Sequence, residues 1–342
     1  MYAIRGSWRG KKIIKISELQ KQQKHYTMKN LLKQGFYLTD GGLETTLIFH
    51  EGIELNHFAA FQLINHAAGR DVLMKYYRNY LELATRFNTN FILEAPTWRA
   101  SKDWGVKMDY TINEIREVNR NAIRFLQDIQ LQYPQLHTLI SGNIGPRGDG
   151  YSITSRMQPQ ESKDYHFDQI KTFAEAGADM VSAFTINYAD EAIGIVQAAK
   201  SVDIPVVISF TLETDGRLPD GETLQDAIEK TDAQTGNYVY YYMINCAHPQ
   251  HFIETLRNDS NWKKRVWGIR ANASTKSHKE LDESETIDTG DKCKLAEGYG
   301  EILTLLPNLR IIGGCCGTDH THLEEIGHLL LEKEQEVSSL YL

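Results

Sequence analysis

The sequence predicts a single (β/α)8 barrel of the α/β class. Eight short apolar runs alternate with segments of helical period over roughly 300 residues, the pattern of a parallel sheet with helical crossovers. A doubly wound open sheet is the structural competitor. No Gly-x-Gly-x-x-Gly follows the first run, so the dinucleotide-binding form of that competitor lacks its fingerprint. Chemically distinctive residues also stand directly after several runs, where a barrel of this kind carries its functional loops.

Taken in order, Phe36–Thr39 reads as the first strand and is followed by Asp40-Gly41-Gly42. Residues 71–87 place Leu73, Tyr76, Tyr80, Leu83 and Phe87 at helical spacing. Asn90–Glu94 is the second strand, closed by Pro96, and a helix over 111–131 carries the stripe Ile112, Ile115, Val118, Ile123, Leu126 and Ile129. Thr138–Ser141 is the third strand, ended by the Gly142–Pro146 turn. A helix over 164–176 stops at Gly177, where a left-handed cap is expected. Asp179–Phe184 makes the fourth strand, 189–200 a helix, and Ile204–Phe210 the fifth strand, with its proline near the start where a missing donor is tolerated. The next helix runs from Gly221 to about Thr231, and Val239–Ile244 is strand six, leading into Asn245-Cys246. A helix near 249–258, strand seven at Arg265–Ile269, a polar loop over 272–291, a helix near 292–305, strand eight at 309–312 and a last helix over 319–334 complete the series.

The chain divides at its ends. Residues 1–34 form a basic extension, expected to be flexible, and in its first thirty residues Arg5, Arg9, Lys11, Lys12, Lys15, Lys21, Lys24 and Lys29 face only Glu18. It lacks the apolar core of a secretory signal. A transit peptide, a docking tail and a start at Met28 are competing readings of it. The barrel spans 35–335, and 336–342 is a short tail. No stretch approaches the roughly 20 apolar residues of a membrane helix. A net charge of −8 gives no field that favours nucleic acid. Four cysteines in so long a chain do not make a secreted disulfide scaffold, which points to a reducing, cytoplasmic setting. Oligomeric state is not legible.

Three of the four cysteines stand at strand ends. Cys246 follows strand six, and Cys315 and Cys316 follow strand eight inside Gly313–Thr318. Neighbouring cysteines make a poor disulfide but suit a thiophilic metal. Three thiolates from two loops point to zinc with one coordination position left for substrate or water. The bland reading is three small buried side chains. His248, His320 and His322 could instead close the site as a fourth ligand, or serve as helix-start residues and outer hydrogen-bond donors. Cys293 reads as an ordinary thiol.

These residues match a family. Asp40-Gly41-Gly42, Gly142–Pro146, Ile208–Thr211, Asn245-Cys246 and Gly313–Thr318 together resemble the homocysteine S-methyltransferase family, the zinc-dependent thiol and selenol methyltransferases that include betaine–homocysteine methyltransferase-like proteins. The resemblance covers roughly 35 to 335. It implies a (β/α)8 barrel with Zn2+ on Cys246, Cys315 and Cys316, and methyl transfer from a donor to a small-molecule thiol. A sulfonium donor, S-methylmethionine or S-adenosylmethionine, and homocysteine as the acceptor, giving methionine, make the leading expectation. Transfer to another thiol or selenol, and a non-catalytic zinc-binding barrel, are the alternatives. The substrate amino acid is expected at Asp40, which would face its ammonium, and at Gly41 and Gly42, whose backbone N–H groups would meet its carboxylate. Thr97 would line the same mouth. Relatives usually carry a Glu-Thr-Ile-Pro run at the end of strand four, whose Glu contacts the ammonium. Here Phe184 stands at that place, and Glu213, after strand five, is the candidate replacement.

Overall fold

A computed structural model describes residues 35–332. The expectations for 1–34 and 336–342 lie outside the described residues. Eight parallel strands close into a barrel in sequence order: β1 Tyr37–Leu38, β2 Asn90–Glu94, β3 Thr138–Ile144, β4 Met180–Ile186, β5 Val206–Thr211, β6 Tyr242–Asn245, β7 Val266–Ala271 and β8 Ile311–Gly314. Closure pairs Tyr37 with Ile311 and Leu38 with Ile312. Each strand is followed by one principal helix: α1 Ala67–Arg86, α2 Ile112–Gln132, α3 Pro159–Ala176, α4 Ala189–Ser201, α5 Leu224–Thr235, α6 Pro249–Arg257, α7 Lys292–Leu305 and α8 His320–Gly327. Among the described residues, no helix is long and apolar enough to cross a membrane.

The strands are apolar because both faces are covered. β4 and β5 are buried along their whole length, so they read as continuous runs rather than alternating ones. The helices start and stop where their caps dictate. Thr111 and Glu114 form a capping box at α2, Thr223 accepts from Asp226 N at α5, and left-handed Gly177 and Gly236 end α3 and α5.

Boundaries differ from expectation for identifiable reasons. β6 begins three residues late because the Arg265 guanidinium takes the carbonyls of Val239 (2.7 Å) and Tyr240 (3.4 Å), which a ladder would otherwise use. α3 begins at Pro159, since proline fits the first helical turn, where its missing N–H costs nothing. The polar segment 272–291 is not a bare loop. It carries a short helix, His278–Asp282, opened by a Ser277–Glu280 capping box, and Asp288 ties it back to Ser274 at 2.8 Å.

Candidate metal centre

The thiols expected at the strand ends do converge. The Sγ atoms of Cys246, Cys315 and Cys316 lie within 4.8 Å of one another. In this structure Cys246 and Cys315 are joined as a disulfide, with Cα atoms 5.4 Å apart. Cys316 stands outside that disulfide, and Cys293 lies exposed, away from the cluster. Tetrahedral zinc with Zn–S bonds of about 2.3 Å spaces its sulfurs about 3.8 Å apart. The reduced donor set therefore fits that metal in both chemistry and reach. No histidine joins the group among the described residues. His248 caps α6 by accepting from Gln250 N, and burial pushes its imidazole down to about 4. His322 is held by Asp319 at 2.8 Å and the Thr289 carbonyl at 2.8 Å. Neither closes the coordination shell.

Two positions beside the cluster depart from ordinary backbone. Cys246 has φ 54° and Thr185 φ 61°, in the left-handed region that side chains with a Cβ rarely occupy. Thr185 belongs to an irregularity in β4, where the register against β5 shifts between Ala183 and Ile186. Such bulges re-aim side chains beside functional sites. Buried Asn245 holds the two positions together. Its Oδ1 accepts from Thr185 N (2.9 Å) and Ser209 Oγ (2.7 Å), and its Nδ2 donates to Thr185 Oγ1 (2.8 Å) and towards Cys315 Sγ (3.9 Å). Thr185 Oγ1 donates in turn towards Cys246 Sγ at 3.7 Å.

A further set of groups grips the outside of the cluster. The Cys246 carbonyl accepts from Asn272 Nδ2 at 3.0 Å and lies 2.6 Å from His278 Nε2. Tyr151 stacks on His278, with ring centroids 4.0 Å apart, and its hydroxyl lies 3.4 Å from Cys316 Sγ. Tyr151 and His278 were not singled out from sequence. One lies in an unpaired loop and the other in the polar segment, and neither position carries a spacing signal.

The residues expected to hold an amino acid are present at the mouth, with different partners. Both Asp40 carboxylate oxygens are engaged: Oδ1 accepts from Arg270 Nη1 at 2.7 Å and Oδ2 from the Tyr76 hydroxyl at 3.0 Å. Arg270 also donates to Thr39 Oγ1 (3.0 Å), the Gly41 carbonyl (3.1 Å) and the Gly314 carbonyl (3.1 Å), binding the first loop to the last. The Gly42 N–H, expected to meet a substrate carboxylate, donates to the Thr318 carbonyl at 3.0 Å in this structure. The Gly41 amide lies against the Tyr80 hydroxyl. The two glycines are needed for close approach. A Cβ on Gly42 would stand 2.5 Å from the Cys315 carbonyl oxygen, and one on Gly41 2.9 Å from that of Thr318. The Thr97 hydroxyl donates to the Asn143 carbonyl at 2.8 Å, bracing β2 against β3. Glu213 Oε1 lies 3.2 Å from His278 Nδ1, so it meets the Cys246 loop through that imidazole.

Phe184 is buried, with its ring 4.9 Å from the Arg270 guanidinium, and its carbonyl accepts from Trp98 Nε1 at 3.2 Å. Two carboxyls in this region are pushed up to about 7 by burial, and both went unnoticed in the sequence. Glu94 lies inside the barrel, accepting from Ser182 Oγ at 3.1 Å. Glu44 stands in the short helical turn Leu43–Thr45 directly after Gly42.

The profile of the homocysteine S-methyltransferase family matches residues 37–330, the whole barrel with its cysteine loops. The chain belongs to the homocysteine S-methyltransferase family. It is accordingly a methyltransferase, and methyl transfer to homocysteine is the activity that membership supports. It is similar to homocysteine S-methyltransferase 1 of Arabidopsis thaliana, 23% identical over 89% of this chain and 97% of that one. It is 28% identical to homocysteine S-methyltransferase YbgG of Bacillus subtilis, over 60% of this chain and 65% of the relative. Among solved structures, the homocysteine methyltransferase MmuM of Escherichia coli shares the fold. Its oxidised form matches with a TM-score of 0.69 at 17% identity, covering 88% of this chain and 98% of that one. Its metallated form gives 0.67 at 18% identity, covering 87% and 98%.

Proposed function

We propose that reduced Cys246, Cys315 and Cys316 hold Zn2+ and that the protein moves a methyl group from a sulfonium donor, S-methylmethionine or S-adenosylmethionine, to homocysteine. The observation that carries this reading is the convergence of three sulfurs within 4.8 Å at one end of a family barrel. Zinc bound there would convert an acceptor thiol, of ordinary pKa about 8.5, into its thiolate near neutral pH. Transfer then balances simply. A sulfur–methyl bond forms on the acceptor, the donor's sulfur–methyl bond breaks, and its electron pair leaves on a neutral thioether. The thiol proton goes to solvent, so the leaving group needs no general acid.

The chain's own residues keep the ligands in place and set the charge of the mouth. Asn245 and Thr185 place amide and hydroxyl donors near Cys246 and Cys315, and Tyr151 does so at Cys316. Arg270 and Asp40 lock the first loop onto β8. The bound aspartate therefore serves the metal loops, in place of the direct ammonium contact expected from sequence. Glu213, through His278, steadies the Cys246 carbonyl. Thr97 and Trp98 wall the mouth on the β2 side.

Metal analysis of the reduced protein, followed by an assay over a matrix of donors and thiols, tests the proposal. One zinc per chain and methionine formation from homocysteine are expected. Cys246→Ser should lose most of the metal. Full zinc occupancy in that variant would overturn the ligand assignment. A cobalt-substituted form whose spectrum ignores every added thiol would instead support a closed, non-catalytic site.

A further inference from the structure

The resemblance implies an acid at the end of β4, and in this chain the buried Phe184 stands at that place. A replacement must be anionic, reachable from the mouth, free of a bonded cation, and near the metal loops. Four acids can be compared. Asp40 is bonded to Arg270 and Tyr76. Glu94 is buried within the barrel beneath the mouth, against Ser182. Glu213 is engaged by His278. Glu44 differs from all three. It is partly exposed, and it forms no ion pair among the described residues.

Its location is fixed by the turn that carries it. Gly42 presses on the Cys315 carbonyl, and Thr45 Oγ1 accepts from Gly317 N at 3.3 Å, so the turn Leu43–Thr45 is seated on the cysteine loop. The charged groups around Glu44 are Asp40, Arg270 and Arg99, with the Tyr77 hydroxyl from α1. Both arginines are committed elsewhere. Arg270 holds Asp40 and three oxygens of the first and last loops. Arg99 donates to the Gly148 carbonyl at 3.0 Å and is sandwiched between Trp98 and Trp104, 4.0 and 3.9 Å from their ring centres. Burial and the nearby Asp40 carboxylate push the Glu44 carboxyl up, against the pull of the two arginines.

We infer that Glu44 receives the α-ammonium of the acceptor amino acid, replacing from the β1 loop the acid that Phe184 displaces on β4. This rests on the proposed function, whose acceptor is homocysteine. It makes Glu44, and not Glu213, the residue that tells an amino-acid thiol from a plain mercapto acid. Phe184 then serves as an apolar wall over Arg270 and leaves recognition to the opposite side of the ring.

The test compares homocysteine with its des-amino analogue, 4-mercaptobutanoate, in the zinc-loaded protein. Methyl transfer is read as kcat/KM and binding by calorimetry. Wild type should prefer homocysteine, and Glu44→Gln should reduce that preference by about ten- to a hundredfold, the range of a charge-assisted contact. The analogue's own constants should stay unchanged. Zinc content and melting temperature of Glu44→Gln establish that it folds, and Glu44→Asp should recover part of the preference. Retention of the preference in Glu44→Gln, or a change confined to the donor's KM, overturns the assignment. Equal use of both thiols by wild type also overturns it. If neither thiol binds nor is methylated, the proposed function itself falls.

Discussion

Replacing Asp40 by asparagine strips one charge from a buried pair while changing almost no volume. The side chains of Asp40 and Arg270 are only 5% and 9% exposed, so solvent screens neither, and no discount for a surface pair applies. Removing one partner of such a pair costs about 3–5 kcal/mol, because the remaining charge is left desolvated. Unfolding entropy of about 2.1 cal/mol/K per residue gives roughly 0.6 kcal/mol/K for a barrel of this size, so about 4 kcal/mol should lower the melting temperature by about 6 °C. Arg270→Met should cost a similar amount. The double variant should cost less than the two single losses together, with a coupling of about 2 kcal/mol or more, since it leaves no orphaned charge. Thermal and urea unfolding of the reduced, metal-free protein, followed by circular dichroism, measures all three. Losses that add to within about 0.5 kcal/mol would show that the two residues do not act as a pair, and the bracing of β8 by the first loop would have to be abandoned.

Three other outcomes are expected. Glu94 has its carboxyl raised from 4.5 to about 7 by burial, so the folded state holds a proton there that the unfolded state releases. Its contribution is fully present below about pH 4.5 and is lost as pH rises through about 7, by an order of 3 kcal/mol. Glu94→Gln should accordingly gain stability over wild type at pH 8 relative to pH 5, and a pH-independent difference would contradict this. Gly42→Ala drives a methyl group to 2.5 Å from the Cys315 carbonyl oxygen, and should weaken zinc binding at least about tenfold in competition with a chromophoric chelator; unchanged affinity would mean that the loop yields freely. Tyr151→Phe keeps the ring stack on His278 and loses only the hydroxyl beside Cys316, whereas His278→Ala removes the stack and the contact to the Cys246 carbonyl. The second should lower zinc affinity more than the first, by up to about a hundredfold, and the reverse order would relocate the support of the site.

Much of the architecture was legible because its signals are local. Apolar runs of strand length alternate with helical stripes, and Asn245-Cys246 and Gly313–Thr318 each place ligand and turn within a few residues. Barrel closure then brings the two motifs together without further information. The supports were not legible, because they join distant segments. Asp40 meets Arg270 across 230 positions, and Tyr151 meets Cys316 across 165. No spacing rule encodes such pairs. The sequence marks Asp40 by its place in the first loop, whereas its carboxylate faces an arginine in β7. The late start of β6 was hidden for the same reason, since Arg265 takes its carbonyls from beyond the strand. Glu44 carried no motif, and only the turn seated on the cysteine loop makes it conspicuous.

The pairing of β1 with β8, and of Asp40 with Arg270 and Gly314, also governs when the site can exist. A ribosome releases the first loop well before the last two thiols, so the opening strand must wait without its β8 partner while the barrel grows around the gap. A product cut short before Ile311 keeps Cys246 but neither Cys315 nor Cys316. Such a fragment cannot capture the metal in a three-thiolate grip. Capture of zinc by all three thiolates, as proposed, would therefore wait until β8 has closed the barrel.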